Sequence, residues 1–371
     1  MSGPEVVLYG ASGYTGKLVS WHLAEYGIPF IAAGRSKERL ELEMKLVPEL
    51  TNHPYEVAEV KHDRASLAAL FTGRKVVYNF VGPFMQLSEC VVQACLDAGV
   101  HYLDSTGETD WVMMLRDKYG ASFAEKGLLL APASAYMWQS GVLAAEIALE
   151  TPGIDTLDIL YFGTSDTSEA STMSFLRMCT NPQHYLENNQ LAMWPYAKSY
   201  QVKVPDLHRT IPALPWSGGG EPIWYQNDER VRNCHVLTAF GSPMFIHVIK
   251  ILEDFEVDHR HKSQEEREAA TNAIGHQLVA AEPAREVPEV NRTVTSVLGR
   301  GNQASVEVVI HGNCGYRQTG LMGAEFIRRI LAGAILKTGF QAATHAFGAR
   351  NIINALGERG YYTREVSVKS F

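Results

Sequence analysis

Short apolar runs alternate with amphipathic stretches along the first 150 or so residues. Val6-Val7-Leu8-Tyr9 and Leu128-Leu129-Leu130-Ala131 are apolar throughout, as strands covered on both faces must be. Between them the pattern predicts strands at Phe30–Ala33, Tyr55–Val60, Lys75–Val81 and His101–Asp104. Helical spacing falls between these, at Lys17–Tyr26, Lys37–Lys45, Ala65–Phe71, Ser88–Ala98 and Trp111–Lys126, and then at Gly141–Glu150. Strands and helices in alternation, joined by short connections, predict an α/β fold with a doubly wound parallel sheet.

The pattern changes after Thr151-Pro152-Gly153. A strand at Leu157–Phe162 and a helix at Ser171–Met178 precede a long aperiodic stretch, 181–235. That stretch holds Gly218-Gly219-Gly220, Trp194, Trp216, Trp224 and scattered prolines, and reads as a packing loop or as a lid over a substrate pocket. Met244–Phe255 reads as strand, Ser263–Ala281 as helix, and Val294–Gly299 with Ala304–His311 as a hairpin. Gly323–Leu336 and Ala342–Gly357 read as a helical tail. The expected division is 1–150, 151–320 and 321–371.

Composition narrows the function. With 46% hydrophobic and 20% charged residues, the 371-residue chain has ample apolar surface to bury, which excludes disorder as its main state. A net charge of −8 argues against nucleic acid as partner. The five cysteines are odd in number and contain no C-x-x-C, so neither a disulfide framework nor a cysteine-based zinc site is expected. His259-Arg260-His261-Lys262 reads as a solvated run, leaving no metal site expected. No run of about 18 uninterrupted apolar residues predicts a spanning helix. Met1-Ser2-Gly3-Pro4-Glu5 runs straight into a strand without room for a signal peptide, so the cytoplasm is the expected compartment.

The sharpest chemistry follows the first strand, in Gly10-Ala11-Ser12-Gly13-Tyr14-Thr15-Gly16. Gly10 permits a tight turn, Gly13 lets a pyrophosphate approach the backbone, and Gly16 lets the helix pack closely. Exposed N–H groups and the positive end of the helix dipole face the anion. A strand before the glycines and a helix after them are the context that makes this a dinucleotide-binding turn. An NAD site would carry an acid about 20 residues further on. None occurs from 26 to 37; Arg35 and Ser36 stand there instead, and a guanidinium with a hydroxyl suits a 2′-phosphate. NADP(H) is therefore the expected cofactor.

This turn, Gly34-Arg35-Ser36, Asn79-Phe80-Val81-Gly82-Pro83-Phe84 and His101-Tyr102-Leu103-Asp104-Ser105-Thr106-Gly107-Glu108 together resemble the saccharopine dehydrogenase-like oxidoreductases, and within them the trans-acting enoyl reductases. The resemblance covers about residues 5–150 and returns weakly at Gly315–Gly320. It implies a Rossmann-type domain with NADP(H), a second α/β domain with a mixed sheet that shapes the substrate site, and final helices packed back on the first domain. A homodimer through the second domain's sheet is also implied. Val81, Gly82, Pro83 and Phe84 would lie beside the nicotinamide, with Thr106 and Gly107 at the end of the fifth strand. Asp63 would lie near the adenine, although its position also suits a helix N-cap. The relatives commonly carry Gly-Phe-Asp-Ser-x-Pro-x-Asp after the sixth strand; here Ala135–Gly141 differs, so their substrate does not carry over.

Other enzyme classes fit less well. No tyrosine has a lysine four residues later, as short-chain dehydrogenases require. Cys179 and Cys234 lack the turn that acyl-phosphate-type dehydrogenases put around their nucleophile. Hydride transfer needs mainly positioning and a donor for developing charge. Tyr102, Ser105, Thr106, Tyr136, Gln139 and Ser140 are the donors available at strand ends, with Tyr316 and Arg317 entering from the second domain. Tyr136 is the preferred proton donor. The expectation is an NADPH-dependent reductase of a C=C or C=N bond in a small, largely apolar substrate. A saccharopine-type amino-acid dehydrogenase is the alternative and would need arginines such as Arg177, Arg209, Arg232 or Arg317 at the substrate. A non-catalytic NADP(H) sensor is the alternative of another class.

Overall fold

The computed structural model describes residues 3–241, 244–278 and 282–370. Its first part runs β1 (Val6–Tyr9), α1 (Tyr14–Glu25), β2 (Phe30–Gly34), α2 (Lys37–Lys45), β3 (Tyr55–Glu59), α3 (Arg64–Phe71), β4 (Val76–Asn79), α4 (Phe84–Leu87), α5 (Glu89–Ala98), β5 (His101–Asp104), α6 (Thr109–Glu125), β6 (Leu129–Ala131) and α7 (Tyr136–Ala148). Then come β7 (Ile154–Gly163), α8 (Glu169–Cys179), β8 (His184–Glu187), β9 (Gln190–Met193), β10 (Tyr200–Lys203), β11 (Thr210–Ala213), α9 (Glu221–Tyr225), β12 (Asn233–Phe240), α10 (Met244–His259), α11 (Gln264–Leu278), β13 (Arg292–Gly301) and β14 (Ala304–Asn313). The chain closes with α12 (Gly315–Leu331), β15 (Gly339–Phe340), α13 (Ala343–Phe347), α14 (Ala349–Glu358) and β16 (Tyr362–Ser370).

Two compact units emerge. The first comprises Met1–Thr106, Asp110–Gln139 and Tyr316–Leu356; the second comprises Gly107–Thr109, Ser140–Gly315 and Gly357–Phe371. The first is built on a seven-stranded sheet in the order β15-β6-β5-β4-β1-β2-β3, parallel throughout. β1, β4 and β6 are buried along their whole length, which is why their sequences carry no polar alternation. Val7, Ile31, Val77, Tyr102 and Leu130 join Leu67, Phe71, Val91 and Trp111 in one core. α12 belongs to this unit because its small residues permit close approach: a Cβ on Gly320 would lie 2.8 Å from the Leu18 carbonyl oxygen.

The second unit holds a mixed seven-stranded sheet, β16-β14-β13-β7-β12-β8-β9. β7 and β12 run parallel; the other pairings are antiparallel. Ile211 and Ala213 of β11, with Val204 just after β10, form a small core with Phe162 and Ala239.

Four readings of the sequence are corrected here. The stretch 181–235 is not an aperiodic loop but carries β8–β11 and α9. Four-residue strands with half-exposed faces are too short to show a period, although Asn188-Asn189, both at positive φ (49° and 63°), marks the β8–β9 turn. Met244–Phe255 is helix, not strand; Leu252 and Phe255 are buried at helical spacing. α12 starts at Gly315, so the helix begins earlier than its apolar run suggested. The tail does not end in helix: β16 closes the second sheet, and Gly357–Phe371 belongs to the second unit. The expected helix over 263–281 appears as α11, with 279–281 outside the described residues.

Candidate dinucleotide site

The strand order of the first sheet reverses direction at β1, which pairs with β2 on one side and β4 on the other. A crevice outside the carboxyl ends of the strands at such a switch point is where open α/β sheets bind ligands. Gly10 leaves β1 there at φ 84°, and a Cβ on it would stand 2.9 Å from Val81 Cγ2. Both the backbone angle and the close approach therefore require glycine. Gly16 has a packing role, since a Cβ would come within 2.7 Å of the Ala11 carbonyl oxygen. At Gly13 a Cβ would meet only the Gly10 oxygen, at 3.5 Å. Gly13 is also the N-cap of α1 and closes its first turn with no side chain. The first-turn N–H groups around Tyr14, Thr15 and Gly16 thus begin a 12-residue helix without a side-chain cap, the arrangement that receives an anion. Ser12 lies within the same turn.

Arg35 and Ser36 follow β2 directly and are exposed. Ser36 caps α2, accepting from Arg39 N at 3.2 Å. Asp63 caps α3: its carboxylate accepts from Ser66 N at 2.8 Å and from Ser66 Oγ at 2.9 Å. These bonds hold the Asp63 carboxyl below the usual carboxylate range.

The β4 exit is fixed from beneath by Asn79, a residue the sequence reading left without a role. Asn79 Oδ1 accepts from Val81 N at 3.0 Å, and Nδ2 donates to Ser88 Oγ at 2.8 Å. Ser88 Oγ donates in turn to the Val81 carbonyl at 2.7 Å. Val81, Gly82 and Pro83 are half-buried and Phe84 is buried. Asp104, also unassigned from sequence, ties the ends of β5 and β6 together. It accepts from Tyr102 Oη (2.9 Å), Trp111 Nε1 (2.9 Å), Thr106 N (3.0 Å) and Ala133 N (2.8 Å). Burial pushes its carboxyl above the ordinary value in spite of these four donors. The signal was available in the motif itself: a carboxylate ending an otherwise apolar strand must find donors.

Several expected donors are already engaged. Tyr102 is wholly buried and donates to Asp104. Gln139 spends Nε2 on the Ala133 carbonyl (2.9 Å) and Oε1 on Thr344 N (2.8 Å). Ser140 Oγ donates to Thr295 Oγ1 at 2.8 Å. Tyr136 opens α7 just beyond β6, buried, with its N–H donating to Thr319 Oγ1 at 3.1 Å. Trp138 is fully buried packing. Tyr316 and Arg317 belong to the first unit rather than the second: Tyr316 meets the edge of Tyr14 at 5.0 Å, and Arg317 lies over the Trp21 ring at 4.6 Å. Thr106 clusters with the first unit and Gly107 with the second.

In the second unit, Arg177 is buried against two carboxylates, Glu108 Oε2 at 3.0 Å and Glu268 Oε1 at 3.0 Å. Its charge is thereby neutralised within the protein. Cys179 and Cys234 are buried, and burial pushes both thiols up, away from the thiolate a nucleophile needs. Among the described residues no three His, Cys, Asp or Glu side chains are grouped to hold a metal ion. Among the same residues no helix is long and apolar enough to cross a membrane.

A parallel sheet in this order, with a glycine turn at its switch point, defines a dinucleotide-binding domain. Residues 6–128 match the model described as saccharopine dehydrogenase NADP binding domain, so the cofactor of this domain is NADP(H). The chain belongs to the family of unknown function DUF5938, whose model matches residues 139–369. It is 31% identical over 196 residues to a lipid droplet localized protein of Caenorhabditis elegans (51% of this chain, 43% of the relative). It is 32% identical over 145 residues to a saccharopine dehydrogenase-like oxidoreductase of Mus musculus (35% and 34%). It is 36% identical over 126 residues to a trans-acting enoyl reductase of Mycobacterium bovis (33% and 30%). The chain thus matches less than half the length of these relatives. Among solved structures, apo saccharopine dehydrogenase (L-Glu forming) of Saccharomyces cerevisiae aligns over 100% of both chains at TM-score 0.62 and 13% identity, a likeness of fold. The recognised resemblance and the two-part α/β fold both stand on these findings.

Proposed function

We propose that the protein is an NADPH-dependent reductase that delivers hydride to a C=C bond, in an enoyl or enone group, or to a C=N bond of a small, largely apolar molecule. The observation that carries this reading is the switch-point crevice: an uncapped α1 at the glycine turn, and Arg35 at the tip of β2 where an NAD site would hold an acid. In this reading Gly10, Ser12, Gly13, Tyr14, Thr15 and Gly16 receive the pyrophosphate through backbone N–H groups. Arg35 and Ser36 take the 2′-phosphate, and Asp63 borders the adenine while capping α3. Val81, Gly82, Pro83 and Phe84, with Thr106 and Gly107, border the nicotinamide. The reduced cofactor supplies the hydride. Asn79 and Asp104 hold the two strand ends, and Tyr136, just beyond β6, returns the proton. The names of the enoyl reductase and lipid droplet relatives support an acyl or other apolar substrate.

Arg177, one of the arginines a polycarboxylate substrate would need, is bound by Glu108 and Glu268, which weighs against the saccharopine-type alternative. A homodimer belongs to the same proposal, supported by Val366 and Val368 at the sheet edge, 48% and 52% exposed. A cytoplasmic location is also proposed, with a lipid droplet surface as the alternative.

NADPH is expected to bind at least about tenfold more tightly than NADH, the low end of one charge-assisted contact. Arg35→Ala should erase most of that preference in a fluorescence titration; equal affinities in the wild type would refute the assignment. Loss of NADPH absorbance with a panel of enoyl thioesters, enones and imines tests the chemistry. Tight binding with no turnover across the panel would favour a sensor.

A further inference from the structure

The ends of β1, β2 and β3 lie side by side in the sheet, and each leads to a polar group: Tyr9, Arg35 and His62. Tyr9 Oη lies 2.7 Å from His62 Nδ1, and His62 Nε2 lies 2.9 Å from the Leu87 carbonyl oxygen. A carbonyl can only accept, so Nε2 carries the hydrogen; Nδ1 either accepts from the Tyr9 phenol or, when protonated, donates to its oxygen. The two rings are nearly parallel, 7° apart, with centroids at 5.9 Å. Both ring nitrogens are therefore held by the protein, while the half-exposed ring stays within reach of a ligand. Gly34 pairs with Glu59, and Val60 N donates to the Gly34 carbonyl at 2.9 Å, so Arg35 and His62 leave adjoining strand ends.

We propose that His62 is a specificity-determining residue for NADP(H), which takes up a proton when the 2′-phosphate binds beside Arg35. This rests on the cofactor placement proposed above. A 2′-phosphate brings about 1.5–2 negative charges at neutral pH, and Arg35 supplies one positive charge. The remainder raises the proton affinity of a neighbouring imidazole. Protonation at Nδ1 keeps the same contact with its direction reversed: the ring donates to the Tyr9 oxygen, and the phenol hydrogen turns away. Nε2 still donates to Leu87. Other charged or titratable groups near the pair are Lys61 and Asp63, which flank His62 in the chain, and Cys90 on α5, whose Sγ lies 3.6 Å from Nε2, with Glu89 next to it in sequence. Of the charges around the pair, the phosphate is the one that arrives on binding.

Calorimetric titration of the full chain with NADPH and with NADH, in two buffers of unlike ionisation enthalpy at pH 7.5, tests this. Wild type should take up a measurable fraction of a proton with NADPH and none with NADH. The NADPH-over-NADH preference should rise about three- to fivefold from pH 8 to pH 6.5, below the limit of tenfold per pH unit for one proton. His62→Gln, which keeps a donor for Leu87, should abolish the uptake and the rise while still binding NADPH. The phosphate's own ionisation beside a guanidinium releases protons, so it cannot imitate the signal. Uptake unchanged in His62→Gln, or no uptake in wild type, overturns the role of His62 even if NADPH binds with an Arg35-dependent preference. Failure of NADPH to bind the wild type would instead bring down the cofactor reading.

Discussion

Arg177→Met is expected to destabilise the protein by about 3–5 kcal/mol, the usual consequence of removing one partner from a buried ion pair. Arg177 and Glu108 side chains are 1% and 0% exposed, and the guanidinium joins Glu108 to Glu268. Methionine fills most of the volume but leaves the Glu108 carboxylate without the guanidinium that neutralises it. Moving a charge out of water costs several kcal/mol, and here its counter-charge would be gone. The double variant Glu108→Gln/Arg177→Met removes both charges and should regain much of the loss. Urea unfolding of the three proteins at pH 7 measures this. A single-variant loss below about 1 kcal/mol would show that the pair is solvated, as surface ion pairs are.

Glu221→Gln should change the pH dependence of stability. Glu221 is wholly buried, and burial raises its carboxyl from 4.5 to about 8 although Tyr161 Oη donates to Oε1 at 2.6 Å. Gly141 N donates to the same phenol oxygen at 2.6 Å, so the acid closes a short chain of hydrogen bonds. Below about pH 4.5 both folded and unfolded chains hold the proton, and the group costs nothing. Between there and about pH 8 the unfolded chain releases a proton that the folded one keeps. Stability therefore falls as pH rises through this window and reaches its full penalty above it. Glutamine imitates the protonated acid and cannot ionise, so the variant should be more stable by about 3 kcal/mol at pH 7. Thermal unfolding from pH 5 to pH 9 should show the two proteins converging at the acid end. Parallel profiles would mean that Glu221 ionises freely in the folded protein.

The first unit was legible for a physical reason. Its parallel strands are buried on both faces, so Val6–Tyr9 and Leu129–Ala131 stand out as apolar runs. The glycine turn is equally legible, because Gly10 and Gly16 sit where any Cβ would collide with backbone or with Val81. The second unit was harder to read. β8, β9, β10 and β11 have four residues each and half-exposed faces, too little to impose a period. Leu252 and Phe255 on α10 hid in a stretch that is apolar on several sides.

The order of residues alone decides the nucleotide-binding turn, the lack of an acid after β2 and the alternation that builds a parallel sheet, since these depend on neighbours only a few positions apart. Tertiary structure decides which polar side chains remain for chemistry. Tyr102, Gln139, Ser140 and Arg177 all looked available along the chain, yet each is committed to a partner brought to it by folding. Tyr9 and His62 lie 53 positions apart and meet only because β1, β2 and β3 end together. A buried donor or acceptor must be satisfied by whatever the fold places beside it, and that pairing is not written in local sequence.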